Sequence, residues 1–119
     1  MPNPFRQARD DLVAKLLANG VPRATVDPGA NPPFVLVGLI TINSPRGGVG
    51  AWAGDVDISI VVPPPGDLDA LTALEDVLAA VLAVTGYAPA VPDTYALSPT
   101  ATAPAYVVTL PIDVPNPNC

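Results

Sequence analysis

The chain has 119 residues, which is long enough for one domain with a buried core. Half of the residues are hydrophobic and only 13% are charged, and this composition excludes a disordered chain despite the 17 prolines. All five cations lie in residues 1–46, which carry a charge of +2, whereas residues 47–119 carry −8, and this acidity excludes a basic face for duplex nucleic acid.

The N-terminal segment predicts an amphipathic helix over residues 4–19. Asn3 is a good N-cap, Pro4 fits the first helical position, and Gly20 supplies the stop. Apolar side chains recur at helical spacing between these signals, at Phe5, Ala8, Leu12 and Leu16. Residues 21–33 contain four prolines and predict a turn-rich connection.

The next two segments predict strands that pair as a hairpin. Residues 34–42 are apolar at both even and odd positions, which is typical of a strand covered on both faces. Residues 55–62 alternate between polar and apolar side chains, so they predict a half-buried strand. Its apolar face holds Val56, Ile58, Ile60 and Val62, and its polar face holds Asp55, Asp57 and Ser59. Residues 44–51 between the strands predict a flexible loop.

Three consecutive prolines at positions 63–65 end the second strand, because proline cannot donate a ladder hydrogen bond. Asp67 is a good N-cap and Gly86 a good stop, so residues 67–85 predict the second helix. Its apolar stripe consists of Leu68, Leu71, Leu74, Leu78, Val81 and Leu82. The prolines predict a rigid elbow that folds this helix back onto the preceding strand.

The C-terminal third predicts mostly loop, a short strand at 94–97 and a last strand at 105–113. Pro111 indicates that the last strand lies at an edge or frays there. Residues 1–114 would form a single domain, and residues 115–119 a disordered tail. The order α-β-β-α-(β)-β predicts an α+β fold, with two helices packed on one face of a small, largely antiparallel sheet.

The sequence offers few residues for catalysis or metal binding. It has no histidine, which excludes histidine-based catalytic triads and histidine-based metal sites. Its one cysteine is the last residue, Cys119, and a single cysteine excludes an internal disulfide. Asp55 and Asp57 could in principle bind Mg²⁺ or Ca²⁺, but we interpret them as the solvent-facing side of a strand. Residues 45–50 are glycine-rich but lack the Lys-Ser/Thr of a phosphate-binding loop. We therefore predict no enzymatic activity, cofactor or metal.

Four residues are candidates for a protein interface. Arg46 lies at the tip of the glycine-rich loop and Trp52 at its base, and both residue types are over-represented at binding hot spots. Core packing explains Trp52 equally well. Arg6 and Arg9 belong to the cationic N-terminal segment, whose charge is opposite to that of the remainder and suits contacts between subunits. Solubility alone also explains the acidity.

Three segments taken together resemble a known family. They are "PPFVLVGLITIN", "DVDISIVVPPPGDLDALTALEDVLAAV" and "PAYVVTLPIDV". In this order they resemble the tail terminator proteins of long-tailed bacteriophages, especially those of actinobacterial phages; the phage lambda tail terminator is the better-known relative. In that family a middle strand ends in "VVP"-like residues, an acidic helix follows and "PAY" opens the last strand. Pro63, residues 68–77 and residues 104–106 fill these places. The triple proline, the short loop 44–51 and the "PNPNC" end depart from the pattern.

The resemblance implies a small α+β subunit that assembles into a hexameric ring. Such a ring caps the finished tail tube, stops its polymerisation and presents a surface for joining the head. The implied partners are other copies of the chain, the major tail tube protein and a head-completion or neck protein. No membrane span or signal peptide is visible, so we expect assembly in the host cytoplasm and a place at the head-proximal end of the virion tail.

Two other classes of function stay open. A head-to-tail stopper, or another neck or minor tail protein, would share this composition and assembly behaviour. A small ligand-binding or enzymatic domain is the second alternative, but the sequence nominates no residue for it.

Overall fold

The structure is a computed structural model that describes residues 3–27, 33–44, 51–62, 68–86, 89–98 and 101–115. Its elements, in chain order, are α1 (Pro4–Ala18), β1 (Ala24–Thr25), β2 (Phe34–Ser44), β3 (Ala51–Val61), α2 (Leu68–Thr85), β4 (Ala90–Ser98) and β5 (Ala101–Pro115). The strands form one sheet in the order β1-β2-β3-β5-β4, in which β1 pairs parallel with β2 and the other pairs are antiparallel. The predicted α+β fold is confirmed.

Helix α1 begins and ends at the predicted signals. The Asn3 side chain accepts hydrogen bonds from the first two free N–H groups after Pro4, at 3.0 and 3.2 Å. Gly20 adopts φ +87°, a left-handed conformation that favours glycine, and its N–H donates to the Leu17 carbonyl. The regular helix ends at Ala18, one residue before the predicted end.

Helix α2 follows the predicted limits but buries only part of its apolar stripe. It begins at Leu68 and ends before Gly86, whereas Asp67 and the prolines at 63–65 lie outside the described residues. Leu74 and Val81 are buried, but Leu68 and Leu71 are 79% and 41% exposed. In the single chain, the first turn of the stripe is therefore left exposed to solvent.

Both helices pack on the same face of the sheet, as predicted. The core on this face joins Leu12 and Leu16 of α1 and Leu74 and Val81 of α2 to the strand residues Val35, Val37, Val56, Ile58, Ile60 and Val108. The alternation predicted for residues 55–62 is confirmed, because its four apolar side chains are at most 3% exposed. Strand β3 begins at Ala51, four residues earlier than predicted.

The first half of β2 is covered on its second face as well. There Phe34, Leu36 and Val61 are buried with two alanines of β5. The ring of Tyr95, in β4, meets Phe34 edge-on with 5.3 Å between ring centroids. Since β3 and β5 separate β2 from β4 in the sheet, this contact requires the β4–β5 hairpin to bend over the second face. This covering of the second face explains why β2 has apolar residues at both even and odd positions.

The C-terminal strands are longer than predicted. The short strand expected at 94–97 is the nine-residue β4, and β5 begins at residue 101, so the "PAY" segment lies inside β5. Pairing with β4 supports the weakly β-prone residues at 101–104, and from Ala105 onward β5 also pairs with β3. Strand β5 also includes Pro115, which pairs with Ala51. Residues 116–119 lie outside the described part.

Pro111 is paired on one side only: it pairs with Asp55 of β3 and with no residue of β4. The last strand is not the edge strand that was predicted, because β5 lies between β3 and β4 and stays paired with β3 as far as Pro115. The Thr109 N–H donates to the Pro89 carbonyl, which shows that Thr109 faces the β4 side. The nitrogen of Pro111, two residues later, points the same way. Strand β4 begins opposite Val108, so no β4 residue pairs with Pro111. Its missing N–H therefore costs no ladder bond.

Candidate interface site

Of the four predicted interface residues, Arg6 and Arg9 lie on α1, Trp52 lies at the start of β3, and Arg46 lies outside the described residues. The Trp52 ring, at the start of β3, stacks on Phe5 of α1 with centroids 5.2 Å apart and 19° between the planes. Trp52 is half-buried, so it holds the helix on the sheet and keeps part of its ring exposed. The packing alternative therefore accounts for much of its role.

A groove of about 540 Å³ runs along the N-terminal half of α1 and the second half of β2. Its lining consists of Asn3, Phe5, Arg6, Arg9, Leu39, Ile40 and Ile42. Leu39 is 79% exposed and Ile42 is 37% exposed. The groove thus combines large apolar side chains with two arginines.

A β-bulge turns Leu39 into solvent. Val37 pairs with Ile58 and Ile40 pairs with Val56, so β2 carries one more residue than β3 between these pairs. Sequence reasoning missed Leu39, because its neighbours follow the same apolar pattern as the buried half of β2. The signal that would have found it is Gly38, since an isolated glycine in a strand pattern favours a bulge.

Arg9 performs a structural task inside the chain. Its terminal nitrogen donates to the carbonyls of Val26 and Val37, at 3.3 and 3.2 Å. The Val35 N–H donates to the Arg23 carbonyl, so Val35 and, two residues later, Val37 face the β1 side of β2. Strand β1 ends at Thr25, before it could pair with Val37. Arg9 therefore donates to the carbonyls of Val26 and Val37, which lie beyond the end of the β1–β2 pairing. Sequence reasoning missed this role because β1, only two residues long, lies within the predicted connection.

Arg6 is the more available of the two groove arginines. Its side chain is 59% exposed, and its Nε donates to both carboxylate oxygens of Asp10, at 3.0 and 3.1 Å. Its terminal nitrogens donate to none of the described residues. An exposed i,i+4 ion pair is worth only about 0.3–0.5 kcal/mol, so a partner carboxylate can compete for this guanidinium.

Charge is distributed unevenly over the described surface. Its cations all belong to α1 or the turn before β1, and α1 packs mainly against β1 and β2; they are Arg6, Arg9, Lys15 and Arg23. Strand pairing places four carboxylates on the second face, at Asp55, Asp57, Asp93 and Asp113. Three more lie exposed on α2, at Asp69, Glu75 and Asp76. In the described residues the cations therefore lie at one edge of the sheet, where they outnumber the carboxylates Asp10, Asp11 and Asp27 by one, and elsewhere all charged side chains are carboxylates.

Asp55 and Asp57 lie on the second face, as predicted, and the Asp57 carboxylate accepts a hydrogen bond from the Thr109 hydroxyl at 2.9 Å. Within the described ranges, no three acidic or cysteine residues gather as a metal-binding group. Neither α1 nor α2 is long and apolar enough to cross a membrane. No protein-family model matches the chain, and no curated protein matches it.

Proposed function

We propose that this chain is a tail terminator of a long-tailed bacteriophage. Copies of it would close as a ring on the finished tail tube, stop further addition of tube protein and form the tail side of the head joint. The proposal starts from the sequence resemblance and is supported by the element order. An acidic helix follows the middle strand of the chain, and the last strand contains the segment at residues 104–106, although not at its start.

The observation that carries the proposal is the presence of unlike surfaces on one subunit. The groove beside α1 is apolar and cationic, whereas α2 and the second face of the sheet carry the carboxylates. A ring needs contacts in which one surface of a subunit meets a different surface of the next. Opposite charge on the two surfaces favours such contacts and fixes their register.

The tube end is expected to complete the assembly. A terminator that closed into rings without a tube would be consumed before tails finish, so we expect the isolated protein to be mainly monomeric. Contact with the tube would then supply the missing association energy. Arg46, between β2 and β3, is expected near a subunit or tube interface, because Arg is frequent at binding hot spots.

Tail length tests the proposal. In the phage that encodes this chain, the gene is disabled and tails are purified and measured by electron microscopy. Tails of variable, overgrown length that fail to join heads are expected, and the wild-type gene supplied in trans should restore normal particles. Tails of normal length with unattached heads would point instead to a stopper or neck protein, and normal infectious particles would reject both roles.

A further inference from the structure

Two exposed apolar patches on this chain carry opposite charges. The α1–β2 patch consists of Leu39, Ile42 and Arg6, and it forms part of the groove described above. The α2 patch consists of Leu68, Leu71 and Glu75, and all three side chains are exposed. Large apolar side chains grouped on a surface with a charged neighbour are typical of protein interaction sites.

The α2 patch is one continuous side of its helix. Leu68 and Leu71 are three residues apart and Glu75 follows Leu71 by four, so the three side chains are neighbours on the helix surface. The buried residues Leu74 and Val81 lie on the adjacent side of the helix, next to Leu71. Glu75 makes no ion pair with any residue in the described part of the chain, so its carboxylate is available to a partner.

The two patches lie at different positions along β3. The Phe5–Trp52 stack holds the start of α1 beside the start of β3. At the other end, Ala73 and Val77 of α2 line a small cavity together with Val61, the last residue of β3. Leu39 lies between the pairs Val37–Ile58 and Ile40–Val56, and Ile42 pairs with Gly54. Along β3 the α1–β2 patch therefore lies about four to seven residues, or about 13–23 Å, before Val61. The apolar side chains of both patches are exposed, so each patch is accessible to another molecule.

We infer that the α2 patch of one copy docks on the α1–β2 patch of a second copy. Glu75 then faces the terminal nitrogens of Arg6, and the two leucines of the α2 patch cover the apolar pair of the α1–β2 patch. The charges and apolar character of the two patches are complementary to each other, which favours a second copy over an unrelated partner. Such a contact joins unlike surfaces, so repeating it generates a ring or an open chain. The inference deepens the proposed function, since it names the surfaces through which the ring would close.

Cross-linking of mixed single-cysteine variants tests the contact directly. The native thiol is first removed by Cys119→Ser, and Leu39→Cys and Leu71→Cys are introduced into separate proteins. The two proteins are mixed at roughly 1 mM, where contacts of millimolar affinity are populated, and treated with a short bis-maleimide. The expected product is a mixed dimer, identified by mass spectrometry. Ala83→Cys, exposed near the other end of α2, replaces Leu71→Cys in the matched control.

Charge reversal tests the pairing within that contact. Arg6→Glu should lower the yield of mixed dimer about fivefold, and adding Glu75→Arg to the partner protein should restore it. Arg6→Glu removes the ion pair with Asp10 and places two carboxylates four residues apart. An acid in the first turn of α1 is favourable and offsets this loss, so the helix is retained. Circular dichroism of each variant confirms folding.

Two results would overturn the inference: a mixed-dimer yield no higher than that of the Ala83→Cys control, or a yield that charge reversal leaves unchanged. Neither result bears on tail length in the disabled phage, so failure of this contact and failure of the proposed function are distinguishable.

Discussion

Gly54 occupies the tightest backbone contact among the described glycines. It lies in β3 and pairs with Ile42 of β2, next to the irregular register between Ile42 and Ser44. A Cβ atom at Gly54 would lie 2.1 Å from the Thr41 carbonyl oxygen and 3.0 Å from its carbon. Ordinary contact begins at 3.4 Å, so the substitution Gly54→Ala forces the two strands apart by more than an ångström.

The loss of unfolding free energy in Gly54→Ala depends on whether β3 can move to relieve the clash. Strand β3 is held by β2 on one side and by β5 on the other, so it cannot move away from the Thr41 carbonyl without disturbing a second ladder. Overpacking of this kind costs about 1–3 kcal/mol, and a clash with backbone belongs at the upper end. Alanine also restricts the unfolded chain more than glycine does, and this stabilises the folded state by about 0.4–1 kcal/mol. The expected net loss of unfolding free energy is about 2 kcal/mol, by the difference of these terms.

Gly38→Ala provides a matched control on the neighbouring strand. Its Cβ would lie 3.2 Å from the Asp57 carbonyl oxygen, which requires a shift of only a few tenths of an ångström. Urea unfolding followed by circular dichroism should show Gly38→Ala within about 1 kcal/mol of wild type. For Gly54→Ala we expect a melting temperature lower by about 8 °C. Equal stability of Gly54→Ala and wild type, or equal loss in both variants, would refute this account of the β2–β3 contact.

Three further predictions concern α1 and its contacts, and each is measured as the free energy of unfolding. Leu16→Ala should cost about 2–5 kcal/mol because Leu16 is fully buried, whereas Leu17→Ala, at a 49% exposed position, should cost far less; similar losses would contradict the assigned helix face. A double-mutant cycle between Phe5→Ala and Trp52→Ala should give a coupling of about 0.5–1.5 kcal/mol, and additive losses would show that the stack contributes nothing. Arg9→Met should cost about 1.5–3 kcal/mol through two lost carbonyl contacts, and a neutral result would show that the β1 edge does not need them.

Local signals in the sequence were sufficient to predict most of the elements. Asn3 and Gly20 limit α1, and Gly86 limits α2, because capping depends only on residues within a turn or two. The alternation in residues 55–62 predicted both a strand and its buried face, since strand side chains have a strict period of two. The α+β class followed from the order of these segments. Arg6, Arg9 and Trp52 were predicted as interface residues from residue type and charge alone, and their role at an interface stays a prediction.

Tertiary structure decided the features that depend on residues far apart in the chain. Strand β1 exists only because β2 lies beside it, and the role of Arg9 depends on where that pairing ends. The exposure of Leu39 depends on a bulge between β2 and β3, although its own neighbours predict burial. The exposure of Leu71 depends on how α2 lies on the sheet. Periodicity identifies which side chains share a face, but only the packing of one element on another determines how far along that face burial extends, and therefore which residues stay available to a partner.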